Sequence, residues 1–132
     1  MNRWIRWLLL LGLACQACSG PDADLPPPYR ELPVPVSELA SAESRGRGAV
    51  LYTQHCVLCH GSRLDGHGIR QEGFIRPPRN FTDPAWRQST SPRRVFYAVR
   101  EGLRGTSMPA WKSLTDRETW DLVAYVLSAG DR

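Results

Sequence analysis

The sequence predicts an all-α fold of three to five short helices. Apolar residues recur at helical spacing in three stretches of the chain, and start or stop signals accompany these stretches. No stretch of useful length alternates apolar and polar residues as a half-buried strand would. With 132 residues, the chain has room for about one domain.

Residues 1–18 have the pattern of an export signal. Arg3 and Arg6 precede a leucine-rich run that is shorter than the roughly 20 apolar residues of a bilayer span. An alanine precedes both Cys15 and Cys18, as in bacterial lipoprotein signals, so either cysteine is a candidate for lipidation. An uncleaved N-terminal anchor helix is the alternative. In either case we expect an exported protein, anchored at the periplasmic face of a bacterial membrane.

Residues 19–40 are rich in proline and show no apolar periodicity. This composition favours extended polyproline II, which rises about 3.1 Å per residue. We therefore expect a semi-rigid tether, with a reach on the order of 50 Å, that lifts a domain of residues 41–132 away from its anchor. The alternative is a segment that lies along a partner subunit.

The first helical pattern runs from Ser41 to about His55. Gly46 and Gly48 interrupt it, and each lowers helix propensity by about 1 kcal/mol relative to alanine. A helix that retains Gly48 four residues before Tyr52 predicts a close approach of another backbone at that point.

Two further helices carry clearer boundary signals. In the second, Ser91 is a suitable N-cap, Pro92 suits the first helical position and Gly102 suits the stop. The third begins with the capping box Thr115–Glu118 and ends near Gly130. Long irregular stretches separate these helices, so the protein core alone is thin for a domain of this size.

The sequence Cys56-Val57-Leu58-Cys59-His60 is a C-x-x-C-H motif, the signature of c-type haem attachment. Two thiols at this spacing can reach both vinyl groups of a porphyrin, which leaves His60 under the iron as the proximal ligand. A disulfide, a zinc half-site and a thioredoxin-like redox pair are the alternatives. Zinc would need a second cysteine pair, and a thioredoxin-like site would need a βαβ context. The motif therefore predicts one covalently bound haem c.

A low-spin electron carrier needs a second axial ligand. Met108 is the methionine that remains once the export signal is removed, and its Gly, Thr, Ser and Pro neighbours are not typical of a core. Methionine opposite histidine raises the potential of haem iron. His55 and His67 are the rival ligands, but His55 adjoins the motif and His67 lies in a glycine-flanked loop.

Together these features resemble the class I cytochromes c, especially small bacterial monohaem members. The resemblance covers about residues 44–129 and rests on the C-x-x-C-H motif, on Met108-Pro109 and on the final helix. It implies a cytochrome c fold, in which short helices wrap around the haem and the first and last helices cross closely. The residues that match the crossing are Gly48, Tyr52, Leu122 and Tyr125.

The resemblance also implies residues that support the haem. In the family a proline carbonyl accepts a hydrogen bond from the proximal histidine, and Pro77 or Pro78 would take this role toward His60, although both come later than usual. Arg79 is the first candidate for a contact with the haem propionates. Further candidates are Asn80, Trp86 and Trp111.

The charge does not indicate a nucleic-acid partner. The net charge of +4 falls to +2 without Arg3 and Arg6, and two haem propionates bring it near zero. Arginines of the second helix and the loop after it could form a docking face, but a solvated helix surface is the simpler interpretation. These arginines are Arg93, Arg94, Arg100 and Arg104.

With His60 and Met108 on the iron, no coordination position is open to a substrate. We expect an electron-transfer protein rather than an enzyme, cycling Fe(III)/Fe(II) and acting as a tethered shuttle or a complex subunit. Its partners would be respiratory complexes, oxidases or periplasmic dehydrogenases, with no small-molecule substrate. The alternative function is a haem-based gas sensor or a small haem enzyme with a displaceable Met108.

Overall fold

The structure, a computed structural model, describes residues 20–131, and within that range it is helical without strands. The helices are α1 (Pro27–Arg30), α2 (Val36–Ala40), α3 (Ala42–His55), α4 (Val57–His60), α5 (Pro84–Ser89), α6 (Pro92–Glu101) and α7 (Asp116–Leu127), followed by a 3₁₀ turn (Ser128–Asp131). The predicted all-α class is confirmed. The lipidation candidates Cys15 and Cys18 lie outside the described residues. Within residues 20–131, no helix combines the length and apolarity needed to cross a bilayer.

The three predicted helix starts are confirmed as N-caps. The hydroxyl of Ser41 and the hydroxyl of Ser91 each accept a hydrogen bond from the backbone N–H three residues later, at 3.0 and 3.1 Å. Thr115 and Glu118 form the complete capping box, since each side chain accepts a hydrogen bond from the other residue's backbone N–H, at 3.2 and 2.8 Å. These bonds satisfy backbone donors that a helix leaves unpaired at its start.

Helices α3 and α7 cross at the residues that the resemblance implied. A Cβ atom on Gly48 would lie 2.0 Å from the carbonyl oxygen of Asp121, so only glycine allows this approach. The rings of Tyr52 and Tyr125 pack beside it with centroids 5.2 Å apart, and Leu122 is almost fully buried. The crossing explains why a helix former is absent at position 48.

An ion pair fastens the same crossing, and the sequence did not indicate it. The guanidinium of Arg47 donates two hydrogen bonds to the Asp121 carboxylate, at 2.7 and 2.8 Å. The Asp121 side chain is only 3% exposed, so its charge needs this partner in order to be buried.

The hydrophobic core lies where α6 and α3 pack against α7. The rings of Phe96 and Trp120 pack against each other there, with centroids 4.5 Å apart and planes tilted by 40°. Around them are the buried side chains of Val95, Val99, Leu122, Val123 and Val126.

Residues 20–40 do not have the extended conformation that their composition predicts. They form α1 and α2, which pack against α6 and α7 respectively. The reason is that apolar residues stand between the prolines: Leu25 is 4% exposed, and Tyr29, Leu32 and Leu39 pack against the core. Their irregular spacing hides them from a search for periodicity. The use of the segment as a tether stays a prediction.

Candidate haem site

The C-x-x-C-H motif forms a single helical turn. Helix α3 ends at His55, with Cys56 as its C-cap. The backbone N–H groups of Cys59 and His60 both donate to the Cys56 carbonyl, at 3.2 and 2.9 Å. Both thiols are free and half-buried. The turn therefore presents two thiols and one imidazole from adjacent positions, without the disulfide that was one alternative.

The environment of the thiols does not suit a thiol–disulfide redox centre. Burial, with a smaller effect from Cys59, raises the pKa of Cys56 to about 12. Redox-active C-x-x-C pairs have a lowered thiol pKa, because the thiolate is the nucleophile. The thioredoxin-like alternative is disfavoured on this ground.

The orientation of His60 is set by a backbone carbonyl. Its Nδ1 atom lies 3.2 Å from the carbonyl oxygen of Arg79. A carbonyl can only accept, so Nδ1 carries the proton and Nε2 keeps its lone pair. Burial lowers the pKa of His60, against a smaller opposite effect of the Arg79 carbonyl, and this favours the neutral imidazole that binds metals.

The residue that accepts the hydrogen bond from His60 differs from the sequence-based expectation, which assigned this role to Pro77 or Pro78. The carbonyl that faces His60 belongs to the next residue, Arg79. Two contacts fix the position of residues 78–81 beside the motif. A Cβ atom on Gly66 would lie 2.6 Å from the Pro78 carbonyl oxygen. The backbone N–H of Phe81 donates to the Leu64 carbonyl at 2.8 Å.

Two aromatic residues contact the motif or the residue that follows it. The ring of Phe81 stacks on the His60 imidazole, with centroids 4.6 Å apart and planes 19° from parallel. The hydroxyl of Tyr52 donates to the Gly61 carbonyl at 2.8 Å and so joins α3 to the end of the motif. The sequence offered no signal for the role of Phe81 beyond an aromatic residue two positions after Arg79.

Met108 lies in a loop that is held against the end of α6. The loop leaves the helix at Gly102, where a Cβ atom would lie 2.8 Å from the Met108 carbonyl oxygen. It is joined again to α6 by the Trp111 N–H, which donates to the Val99 carbonyl at 2.9 Å. Met108 is half-buried and packs on the same core cluster as Cys56 and Phe81.

The other candidate residues have different surroundings. The ring of His55 packs against Trp111, with centroids 4.8 Å apart. The His67 side chain is 75% exposed, and its Nδ1 atom lies 3.0 Å from the Asp65 carbonyl. The Asn80 side chain accepts hydrogen bonds from Thr82, at 2.8 and 2.7 Å. Trp86 packs on Phe81, and the Arg79 side chain is exposed. Contacts of these residues with propionates stay predictions.

These donors fit a c-type haem. They comprise the two free thiols, the neutral imidazole of His60 with Nε2 available, and the thioether of Met108 in a loop held against α6. A family model described as cytochrome c oxidase, cbb3-type, subunit III matches residues 44–126. The chain belongs to this family. It is a small c-type cytochrome, a class of haem proteins that transfer electrons.

Two solved structures are similar to parts of this chain. The reducing HAO-like protein complex Kustc0457/Kustc0458 of Kuenenia stuttgartiensis contains a chain with a TM-score of 0.54 and 22% identity, over 64% of this cytochrome. The cytochrome spans 41% of the length of that chain. A c-type cytochrome designated KustC0563 is 34% identical over 61% of this chain and 94% of its own, with a TM-score of 0.49. A search of curated proteins gives no match.

Proposed function

We propose that the protein is an electron carrier with one haem c, attached through Cys56 and Cys59 and ligated by His60 and Met108. The observation that supports this most directly is the contact between His60 Nδ1 and the Arg79 carbonyl, because it leaves Nε2 for the iron. The bound haem supplies a one-electron Fe(III)/Fe(II) couple.

The side chains of this cytochrome have distinct parts in that proposal. The Arg79 carbonyl keeps the proton on Nδ1 and makes His60 a stronger donor through Nε2. The thioether of Met108 is a soft ligand that favours Fe(II) and so raises the potential. If His60 and Met108 both held the iron, no position would be left there for a small-molecule substrate.

We also propose that the protein works at the periplasmic face of a bacterial membrane, anchored through lipid on Cys15 or Cys18 or through an uncleaved N-terminal helix. The family is described as a subunit of a cytochrome c oxidase. This supports a membrane respiratory complex as the redox partner, with the cytochrome as a subunit or a dedicated carrier.

The ligand assignment is tested by spectroscopy of the purified holoprotein. Methionine bound to Fe(III) gives a weak far-red charge-transfer band, which we expect in the wild type and in the control His67→Ala, but not in Met108→Ala. Carbon monoxide should bind slowly to the reduced wild type and much faster to Met108→Ala. Rapid binding to the wild type would favour the gas sensor or haem enzyme.

Attachment and anchoring need separate measurements. Haem should remain on the wild-type chain after denaturing electrophoresis and be lost when Cys56 and Cys59 are both replaced by alanine. Mass spectrometry of the N-terminal peptide from native membranes, compared between Cys15→Ala and Cys18→Ala, identifies the lipidated residue. An unmodified peptide that begins at Met1 would support the uncleaved anchor instead.

A further inference from the structure

The proline-rich segment of residues 21–39 is here called the strap. Its first part, which includes α1, packs on helix α6, and its last part, in α2, packs on α7. The apolar side chains of the strap include Leu25, which is 4% exposed, and Tyr29, which packs against the core. The Tyr29 ring meets Tyr97 edge-on with centroids 4.9 Å apart and lies 6.4 Å from Phe96. The Tyr29 ring is thus partly covered by α6.

At the start of α6 the strap binds Arg93. The Arg93 guanidinium lies 3.3 Å from the Asp22 carboxylate, and its Nε donates to the Leu32 carbonyl at 2.8 Å. The same Asp22 accepts a hydrogen bond from Ser91, the residue that caps α6.

The strap binds Arg94 in a similar way. The Arg94 guanidinium donates to the Pro21 carbonyl and forms an ion pair with Asp24. Arg93 and Arg94 are therefore engaged within the molecule, and a docking face that includes them stays a prediction.

The far end of α6 is also held. The hydroxyl of Tyr29 donates to the Glu101 carboxylate, which also pairs with Lys112. Contacts at both ends and in the middle of α6 make the strap a part of the folded domain.

We propose that the strap fixes the point at which the chain leaves the cytochrome domain, at Pro21 beside the start of α6, so that the domain is held close to its anchor. This proposal rests on the membrane anchoring proposed above. From Cys18 to Pro21 the chain spans at most about 11 Å, and from Cys15 about 22 Å. An extended tether over residues 19–40 would instead reach on the order of 50 Å.

A short reach restricts the redox partner. The cytochrome can then exchange electrons only close to the membrane surface, for instance with a membrane protein whose own redox centre lies near the periplasmic side. A freely diffusing periplasmic protein would have to come to that surface.

The test uses the full-length holoprotein and two variants. Leu25→Ala combined with Tyr29→Ala removes two large covered apolar side chains from the part of the strap around α1. Val36→Ala is the control, because it changes a side chain in the same segment that is 72% exposed. Trypsin cleavage after Arg30, the last residue of α1, followed by mass spectrometry, reports release of the strap, because the helical backbone must unfold before the protease can bind it. We expect cleavage about tenfold or more faster in the double variant, and unchanged in Val36→Ala. An unchanged far-red band shows that the haem domain remains folded.

Reach is measured on phosphatidylcholine vesicles that contain a trace of headgroup-labelled lipid, because haem quenches the label by energy transfer. Strong quenching by the wild type and by Val36→Ala, and weaker quenching by the double variant, is the expected result. If the wild type is cleaved at Arg30 as fast as the double variant, or quenches no better, the proposal is overturned. Slow cleavage without binding to vesicles would instead contradict the anchoring and leave the docked strap supported.

Discussion

Gly48 of helix α3 lies against the carbonyl group of Asp121 in helix α7. A Cβ atom at position 48 would come within 2.0 Å of that oxygen and 2.8 Å of the Tyr125 Cβ atom. The carboxylate of Asp121 also holds Arg47, so one turn of α7 receives both the closest backbone approach and the ion pair. The helix that presents the haem-attachment motif is positioned by this contact.

Gly48→Ala should therefore lower the free energy of unfolding, by about 1–3 kcal/mol, because neither backbone can move without breaking the crossing. Urea unfolding of the holoprotein measures this. Gly46→Ala is the matched control in the same helix: nothing lies within 4 Å of its added Cβ, so it should be neutral or stabilise the helix by up to about 1 kcal/mol. Equal effects of the two changes would contradict the close approach.

Phe81→Ala should loosen the orientation of His60, since it removes the ring that stacks on the imidazole at 4.6 Å. We expect broader low-spin signals in the electron paramagnetic resonance spectrum of the oxidised protein. A loss of about 1–3 kcal/mol in stability is expected from a half-buried phenylalanine. Phe81→Tyr keeps the stacked ring and should restore the narrow signals. If Phe81→Tyr broadened them as much as alanine does, stacking would not be the cause.

Gly102→Ala should weaken the proposed ligation of iron by Met108. Its Cβ would lie 2.8 Å from the Met108 carbonyl and 2.9 Å from the Ala110 nitrogen, so the loop must move away from α6. The far-red band should diminish and carbon monoxide should bind faster to the reduced protein. Gly105→Ala has a similar positive φ, 73° against 69°, but meets nothing within 4 Å, and it should retain the band. Loss of the band in both variants would point to backbone strain instead.

Contacts of the strap should be lost at high pH through Tyr29. Burial, and then the hydrogen bond to Glu101, raise the pKa of Tyr29 from 10.0 to about 12. The charge of Arg100 has a smaller effect that lowers the pKa. A raised pKa in the folded state stabilises the fold fully below pH 10, and this contribution disappears as the pH rises through about 12. The urea midpoint should fall more steeply over this range in the wild type than in Tyr29→Phe. Parallel curves would show that Tyr29 does not titrate with folding.

Acid should act on the other partner of the same hydrogen bond. Lys112 first, and then Tyr29, lower the pKa of Glu101 below 4.5. A lowered pKa in the folded state stabilises the fold above pH 4.5, and the contribution is lost as the pH falls further. Glu101→Gln should therefore show a weaker decrease of the urea midpoint below pH 4.5 than the wild type. An identical decrease would exclude Glu101 as the titrating group.

Features that depend on neighbouring residues could be predicted from the sequence. The caps at Ser41, Ser91 and Thr115 require only residues three or four positions apart, and the C-x-x-C-H turn requires five consecutive residues. The close approach at Gly48 was predicted because glycine destabilises the interior of a helix. Its presence there indicates a point where another backbone lies too close for a side chain.

The sequence by itself determined the helical class, the haem-attachment motif and the ends of the main helices, because short-range hydrogen bonds and side-chain chemistry specify them. Only the tertiary structure decided that Arg79 rather than a proline faces His60, that Arg47 pairs with Asp121 and that the proline-rich segment packs on α6. These contacts join residues 19, 74 and up to 73 positions apart. The apolar and charged side chains that pack against a distant helix are irregularly spaced, so they give no periodic pattern in the sequence. For this reason the composition predicts an extended segment where the structure shows one that packs on α6.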